Sequence, residues 1–336
     1  RIDIHVMPDA AARVAAVRTG KTAMQGGQHL NNDQVSSLKE TNPELSAVKI
    51  TGTSKSDPAF YLGAAPFSIW EVRLAMQKAI NFDEIIDSYY KGDADRNHWG
   101  FAPGPAAGYY TPFQDWPEDV KQQFVYDPDE AGRLLDEAGY PLQDGVRFEG
   151  NWLLYGPYGH DVDLAMLVAS YWDKIGVKVT ITQAADDSTY SDEVRSASYG
   201  VESGSGAGGM LSCGCRHKNF NPMVSNKGRF DQRIDGAWLN TGMVDGPKDY
   251  SDYWAIMDKA SAATTQEDLL RHATEMDDYF IKDMFTLSLP VVTQYMMVQP
   301  WLMGYQGEDG GGDEGWMVHL MYTWVDQDLQ KEMGHD

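Results

Sequence analysis

The chain has 336 residues, enough for one large or two ordinary domains with a buried core. It carries 27 Lys plus Arg against 50 Asp plus Glu, a formal charge of -23, so its field repels nucleic-acid phosphates and anionic headgroups. Aromatic residues make up 12%, with 10 Trp and 18 Tyr, which excludes a low-complexity chain, and no run reaches the ~20 apolar residues of a membrane span.

Ile2, Ile4 and Val6 alternate with polar residues and predict a strand that starts in its own middle, as if chain were missing upstream. Pro8 and Asp9 break it, and Ala10 to Val17 predicts a helix ended by Gly20. Helix is expected again at Asn32 to Lys39 and strand at Ala47 to Thr51, while residues 52 to 68 have a linker's composition. Val72, Ala75, Met76, Ala79 and Ile80 put one apolar stripe on a helix from Glu71, and another helix begins at Asp83. Lys91 to Trp116, rich in Gly, Pro and aromatics, predicts a long ordered loop.

The clearest local signal runs from Tyr126 to Pro141. Asp127 suits an N-cap, Pro128 the first turn, Glu130 the return arm of a capping box, and Gly139 with Pro141 the stop. A strand at Phe148 to Leu154, a helix through Leu164, Leu167, Val168, Tyr171 and Ile175, and a strand on Val177, Val179 and Ile181 predict a βαβ crossover with parallel pairing. A late helix with a capping box from Thr264 to Glu267 carries Leu269, Leu270, Ala273, Met276 and Phe280, followed by strands at Phe285 to Leu289 and Tyr295 to Val298.

Several segments carry a resemblance. They are Arg1 to Arg13 with Gly20; Pro66-Phe67 with Val72-Arg73-Leu74-Ala75-Met76-Gln77-Lys78-Ala79-Ile80-Asn81; Tyr126 to Pro141; and Trp172-Asp173-Lys174-Ile175-Gly176-Val177-Lys178-Val179. In this order they resemble the peptide, dipeptide and nickel type of extracellular solute-binding protein of ABC importers, with Asn81 where the family has Asp; Gly304-Tyr305 and Trp324 extend the likeness. The resemblance implies a two-lobed α/β periplasmic-binding-protein fold, type II or Venus-flytrap, of which this chain covers the second lobe and part of the first. Residues 1–62 would be the end of lobe one, 63–288 lobe two and 289–336 the return to lobe one, with an N-terminal truncation. It implies a periplasmic or extracellular monomer, lipid-anchored or free, that binds a peptide or peptide-like solute and serves an ABC permease, without catalysis, cofactor or nucleic acid.

Candidate ligand-binding residues are Tyr155, Tyr158, Ser205, Leu211, Cys213, Cys215, His217 and Lys218. Tyr155, Tyr158 and Trp152 offer large faces with polar handles for stacking, although Trp152 alternates with core positions and equally suits plain packing. Gly204 to Gly209 satisfies GxGxxG, yet no helical stripe follows, so it suits a ligand-lining loop rather than a pyrophosphate cradle. Cys213, Cys215 and His217 alternate, which leaves open a soft-metal or metallophore site, but no fourth ligand has a helpful spacing. No GxSxG, HExxH or P-loop appears, and pairs such as Asp277-Asp278 are adjacent and point apart on a helix; a hydrolase on a borrowed fold is the weaker alternative. The family resemblance also implies an Asp for a peptide's amino group near Lys218-Asn219-Phe220-Asn221-Pro222 and an Arg before Pro157-Tyr158. This chain has neither, with Gly156 at the second position.

Overall fold

The computed structural model describes residues 3–7, 9–25, 30, 32–51, 58–60, 62, 65–96, 113–154, 162–183, 185, 189, 209–212, 248–284, 287–305 and 322–335. Residues 3–7 form no strand: Ile4 and Val6 are exposed and no described strand lies beside them, so their alternation has no ladder to join. Helix α1 (Ala10–Arg18) is capped by Asp9, whose carboxylate accepts from Ala12 N–H at 2.7 Å. Helix α2 (Asn32–Thr41) buries Val35 and Leu38 and leads into strand β1 (Ser46–Thr51).

The segment with a linker's composition contains strand β2 (Pro58–Phe60), and Phe60, Leu62 and Phe67 around it are buried. Three residues opening on Pro are too few for a period-2 signal, which is why composition misleads there. Helix α3 (Trp70–Lys78) is followed by a single turn, α4 (Phe82–Glu84), which Asn81 caps by accepting from Glu84 N–H at 3.1 Å. Asn therefore does the capping work of the Asp expected at this position. The helix expected from Asp83 continues as a π-turn over Ile85–Tyr89, and strand β3 (Ala94–Asp95) interrupts the predicted loop; residues 97–112 of that loop lie outside the described residues.

After the short helix α5 (Glu118–Lys121) comes α6 (Pro128–Glu137), with Asp127 accepting from Glu130 N–H at 2.9 Å and Gly139 in the left-handed region at φ +90°. Only half of the predicted capping box forms. The Asp127 N–H donates to Lys78 O at 2.8 Å, and the Glu130 carboxylate pairs with Arg133 instead. Strand β4 (Phe148–Leu154), helix α7 (Val162–Lys174) and strand β5 (Val177–Gln183) make the expected crossover, with Trp152 opposite Ile181 in a parallel register. Gly176 at the joint has φ +83°, and a Cβ there would come within 2.5 Å of Leu142 Cδ1.

Strand β6 (Gly209–Ser212) precedes helices α8 (Ser251–Ala262) and α9 (Gln266–Asp283). The α9 cap is Thr265, one residue later than predicted, and it exchanges bonds with Asp268 rather than Glu267. Of the predicted strand Phe285–Leu289, Phe285 and Thr286 lie outside the described residues and Leu287–Leu289 is a buried connection rather than a strand, leading to Pro290, which has no N–H for a ladder; β7 (Val291–Val298) follows. A small antiparallel pair, β8 (Leu302–Met303) with β9 (Trp324–Val325), and a last helix, Gln327–Glu332, complete the order of the described elements.

The described strands form two larger sheets. One has the order β1-β7-β3, all antiparallel; the other has the order β2-β6-β4-β5, with β4 parallel to both neighbours and β2 antiparallel to β6. The second sheet and α3, α6, α7, α8 and α9 share the largest core, which includes Phe67, Trp152, Trp172 and Tyr253. The first sheet has smaller cores on its two faces, one around Val17, Leu38 and Met297, the other around Met296 and Val298. Among the described residues no helix is long and apolar enough to cross a membrane.

Candidate functional site

The site begins with β4, the central strand of the parallel part of the sheet. Its residues Asn151, Trp152 and Leu153 pair with Gly209, Met210 and Leu211 on one side and with Thr180, Ile181 and Thr182 on the other. The chain therefore leaves β4 after Leu154 and β6 after Ser212 at the same, carboxyl end of neighbouring parallel strands. In open α/β sheets this is where ligands bind, because loops fan outward there.

Of the predicted contacts, Leu211 is placed in β6, between Leu153 of β4 and Ala59 of β2. Tyr155, Tyr158, Ser205, Cys213, Cys215, His217 and Lys218 lie outside the described residues, as does Gly156. Trp152 is resolved in favour of packing: it is 1% exposed, and its ring centroid lies 5.2 Å from that of Trp172. Its indole N–H is buried without a hydrogen-bond partner, whereas that of Trp172 donates to Met76 O at 3.0 Å. Among the described residues no group of three or more His, Cys, Asp or Glu is arranged to hold a metal ion.

What residue-by-residue reading missed is a buried polar cluster where α9 hands the chain toward β7. Arg73 of α3 is fully buried. Its guanidinium donates to Phe67 O at 2.6 Å, Asp283 O at 2.8 Å and Met284 O at 3.0 Å, and it meets the Asp283 carboxylate at 3.3 Å. Burial lowers its pKa to about 10, opposed by Tyr250 and Glu71, and it stays charged at neutral pH. The other oxygen of Asp283 accepts from Lys248, whose own pKa is lowered by burial and then by Arg73. One carboxylate thus serves two cations, and the carbonyls take the remaining guanidinium donors, which a buried ion needs. The available signal is an Arg and a Gln four residues apart, set among the apolar Val72, Leu74, Ala75 and Met76 of α3.

Comparison with known proteins agrees with this architecture. Of the solved structures, the periplasmic binding protein DppA from Helicobacter pylori in complex with the peptide STSA superposes with a TM-score of 0.68 at 19% identity, covering 96% of this chain and 56% of that one. NikA from Brucella suis in complex with Fe(III)-EDTA gives 0.64 at 16% identity, covering 89% and 57%. The fold is the two-lobed α/β fold of periplasmic binding proteins, and this chain spans little more than half of it.

The profile of the bacterial extracellular solute-binding proteins, family 5 Middle, matches residues 1–212, and the chain belongs to that family. Curated relatives include Heme-binding protein A of Haemophilus influenzae, 29% identical over 179 residues, which are 53% of this chain and 30% of that protein. The Dipeptide-binding protein of Escherichia coli is 26% identical over 179 residues, 52% of this chain and 31% of its own length. The chain's matched part therefore spans under a third of these relatives.

Proposed function

We propose that the chain belongs to a receptor of an ABC import system that captures a peptide or peptide-like solute between two lobes and delivers it to a membrane permease, without chemistry. The family match over residues 1–212 carries this reading. Solute contacts made only when both lobes touch it would bias an open-closed equilibrium. The protein acts as a monomer in the periplasm or outside the cell, free or lipid-anchored.

For the lobes, the proposed division is 1–62 with 289–336 against 63–288, with two adjustments. Pro58–Phe60 pairs with β6 and goes with lobe two, and Ala94–Asp95 pairs with β7 and goes with lobe one. The solute is larger or less zwitterionic than a free dipeptide, because the family resemblance implies an Arg at the position of Gly156 and an Asp near Lys218 to pair its termini, and this chain has neither. An unpaired buried charge would cost several kcal/mol. Tyr155, Tyr158, Leu211 and the segment from Ser205 through Cys213, Cys215, His217 and Lys218 are the proposed contacts. A haem-like solute is the second reading, favoured by the relative named Heme-binding protein A.

Calorimetric titration of the full-length protein with dipeptides, longer peptides and hemin tests this. Binding of longer peptides with weak or absent dipeptide heat is expected. Submicromolar affinity for any simple dipeptide would overturn the solute assignment, and hemin binding alone would move it to the second reading.

A further inference from the structure

Trp70, Arg73 and Gln77 stand at i, i+3 and i+7 on α3 and so form one stripe of the helix. Each is committed to the backbone of the chain leaving α9. Trp70 Nε1 donates to Lys282 O at 2.9 Å; Arg73 donates to Asp283 O and Met284 O; and Gln77 takes both backbone groups of Ser288. Its Oε1 accepts from Ser288 N–H at 2.7 Å and its Nε2 donates to Ser288 O at 3.3 Å, so one side-chain amide imitates a neighbouring strand. Ser288 and Gln77 are both 1% exposed, leaving no solvent to take over these bonds.

The grip ends at a boundary. Leu287 and Leu289 are buried in the largest core, and Leu287 N–H donates to Pro58 O of β2 at 2.8 Å. Then comes Pro290, and from Val291 the chain belongs to the other sheet, with Val291 opposite Asp95 and Thr293 opposite Thr51. Ser288 is therefore the last residue held by side chains of α3 before the chain changes sheet.

We propose that Gln77 is a positioning residue for lobe closure. By pinning Ser288 to α3 it confines the rotation at this crossing between the two sheets to Leu289–Pro290 and so helps fix the closed geometry on which solute affinity depends. The inference rests on the capture reading above. Only a primary amide of this length supplies a donor and an acceptor in the required pairing; Glu offers no donor and adds a buried charge, and Met offers neither.

The experiment uses the full-length protein without solute, with nitroxides attached through a genetically encoded ketone residue at exposed Glu40 of α2 and Met166 of α7. Electron–electron distance measurements on wild type and Gln77→Met should show the inter-label distribution widening by about twofold or more in the variant, because the rotation is no longer confined. Amide exchange in the Leu287–Leu289 stretch should accelerate about tenfold, as expected for a lost pair of buried bonds. Ser288→Ala should change neither reading, since the Ser288 hydroxyl is buried without a partner. Should Gln77→Met not fold, Gln77→Asn carries the test, retaining the amide but falling one methylene short. A lowered unfolding midpoint with an unmoved distance distribution would reduce Gln77 to a structural bond and overturn the inference. Failure of the capture reading would show separately, as absence of binding heat with every solute in the titration above.

Discussion

Trp152 and Trp172 allow a test in which packing cancels. Both indoles are at most 1% exposed and touch each other, so replacing either with Phe removes the same atoms from one core and costs a similar transfer and cavity energy. Their polar ends differ. Trp172→Phe deletes the donor to Met76 O, one of the last four carbonyls of α3 and short of a helical partner, at a cost of about 1–3 kcal/mol. Trp152→Phe deletes a buried N–H that has no partner, which relieves a penalty of about the same size. Trp172→Phe should therefore be less stable than Trp152→Phe by about 2 kcal/mol or more. Urea unfolding followed by far-ultraviolet circular dichroism, which does not depend on the altered fluorophores, measures the difference. Equal midpoints, or a lower midpoint for Trp152→Phe, would refute the hydrogen-bond reasoning. A changed solute affinity in Trp152→Phe with unchanged stability would return that residue to the candidate contacts.

Asp127→Ala should lower stability by about 1 kcal/mol and Asp127→Asn by much less, since the amide oxygen still accepts from Glu130 N–H; equal losses in urea midpoint would count against the cap. Alkaline pH should destabilise the protein. Burial raises the phenols of Tyr140, Tyr171, Tyr250, Tyr279 and Tyr295 above the usual 10.0, with Tyr295, which also donates to Asp93, reaching about 12. The folded state then holds these protons more tightly than the unfolded one, so their contribution is complete below pH 10.0 and falls as pH rises through the folded values. Urea midpoints at about pH 9 and about pH 11 should drop between the two, and phenolate absorbance should appear later in folded than in unfolded protein. A flat midpoint would contradict the assignment.

Local signals made the helices and the crossover legible. Asp127, Pro128 and Gly139 bound α6 by caps that act within a few residues, and Gly176 joins α7 to β5 by a backbone conformation only glycine takes easily. Tandem Thr264 and Thr265 offer the same hydroxyl one residue apart, so spacing alone could not choose between them. The π-turn over Ile85–Tyr89 keeps apolar residues where an α-helix would, and the periodicity looks the same. Partners far away in sequence were not legible: Arg73 and Gln77 among apolar neighbours point to a buried polar contact, but they bond to residues 210 and 211 positions later, which local sequence does not name. Among the candidate contacts, the alternation that made Trp152 ambiguous is decided by α7 covering that face of β4 with Trp172.

Reversible capture of a solute without chemistry, as proposed above, has a direct readout. Native mass spectrometry of the full-length protein, before and after incubation with a peptide mixture, tests it most directly. A retained or acquired small molecule that leaves the unfolded protein with its mass unaltered is expected. Release of a cleaved or otherwise modified product would contradict it, as would a protein that neither retains nor acquires any small molecule.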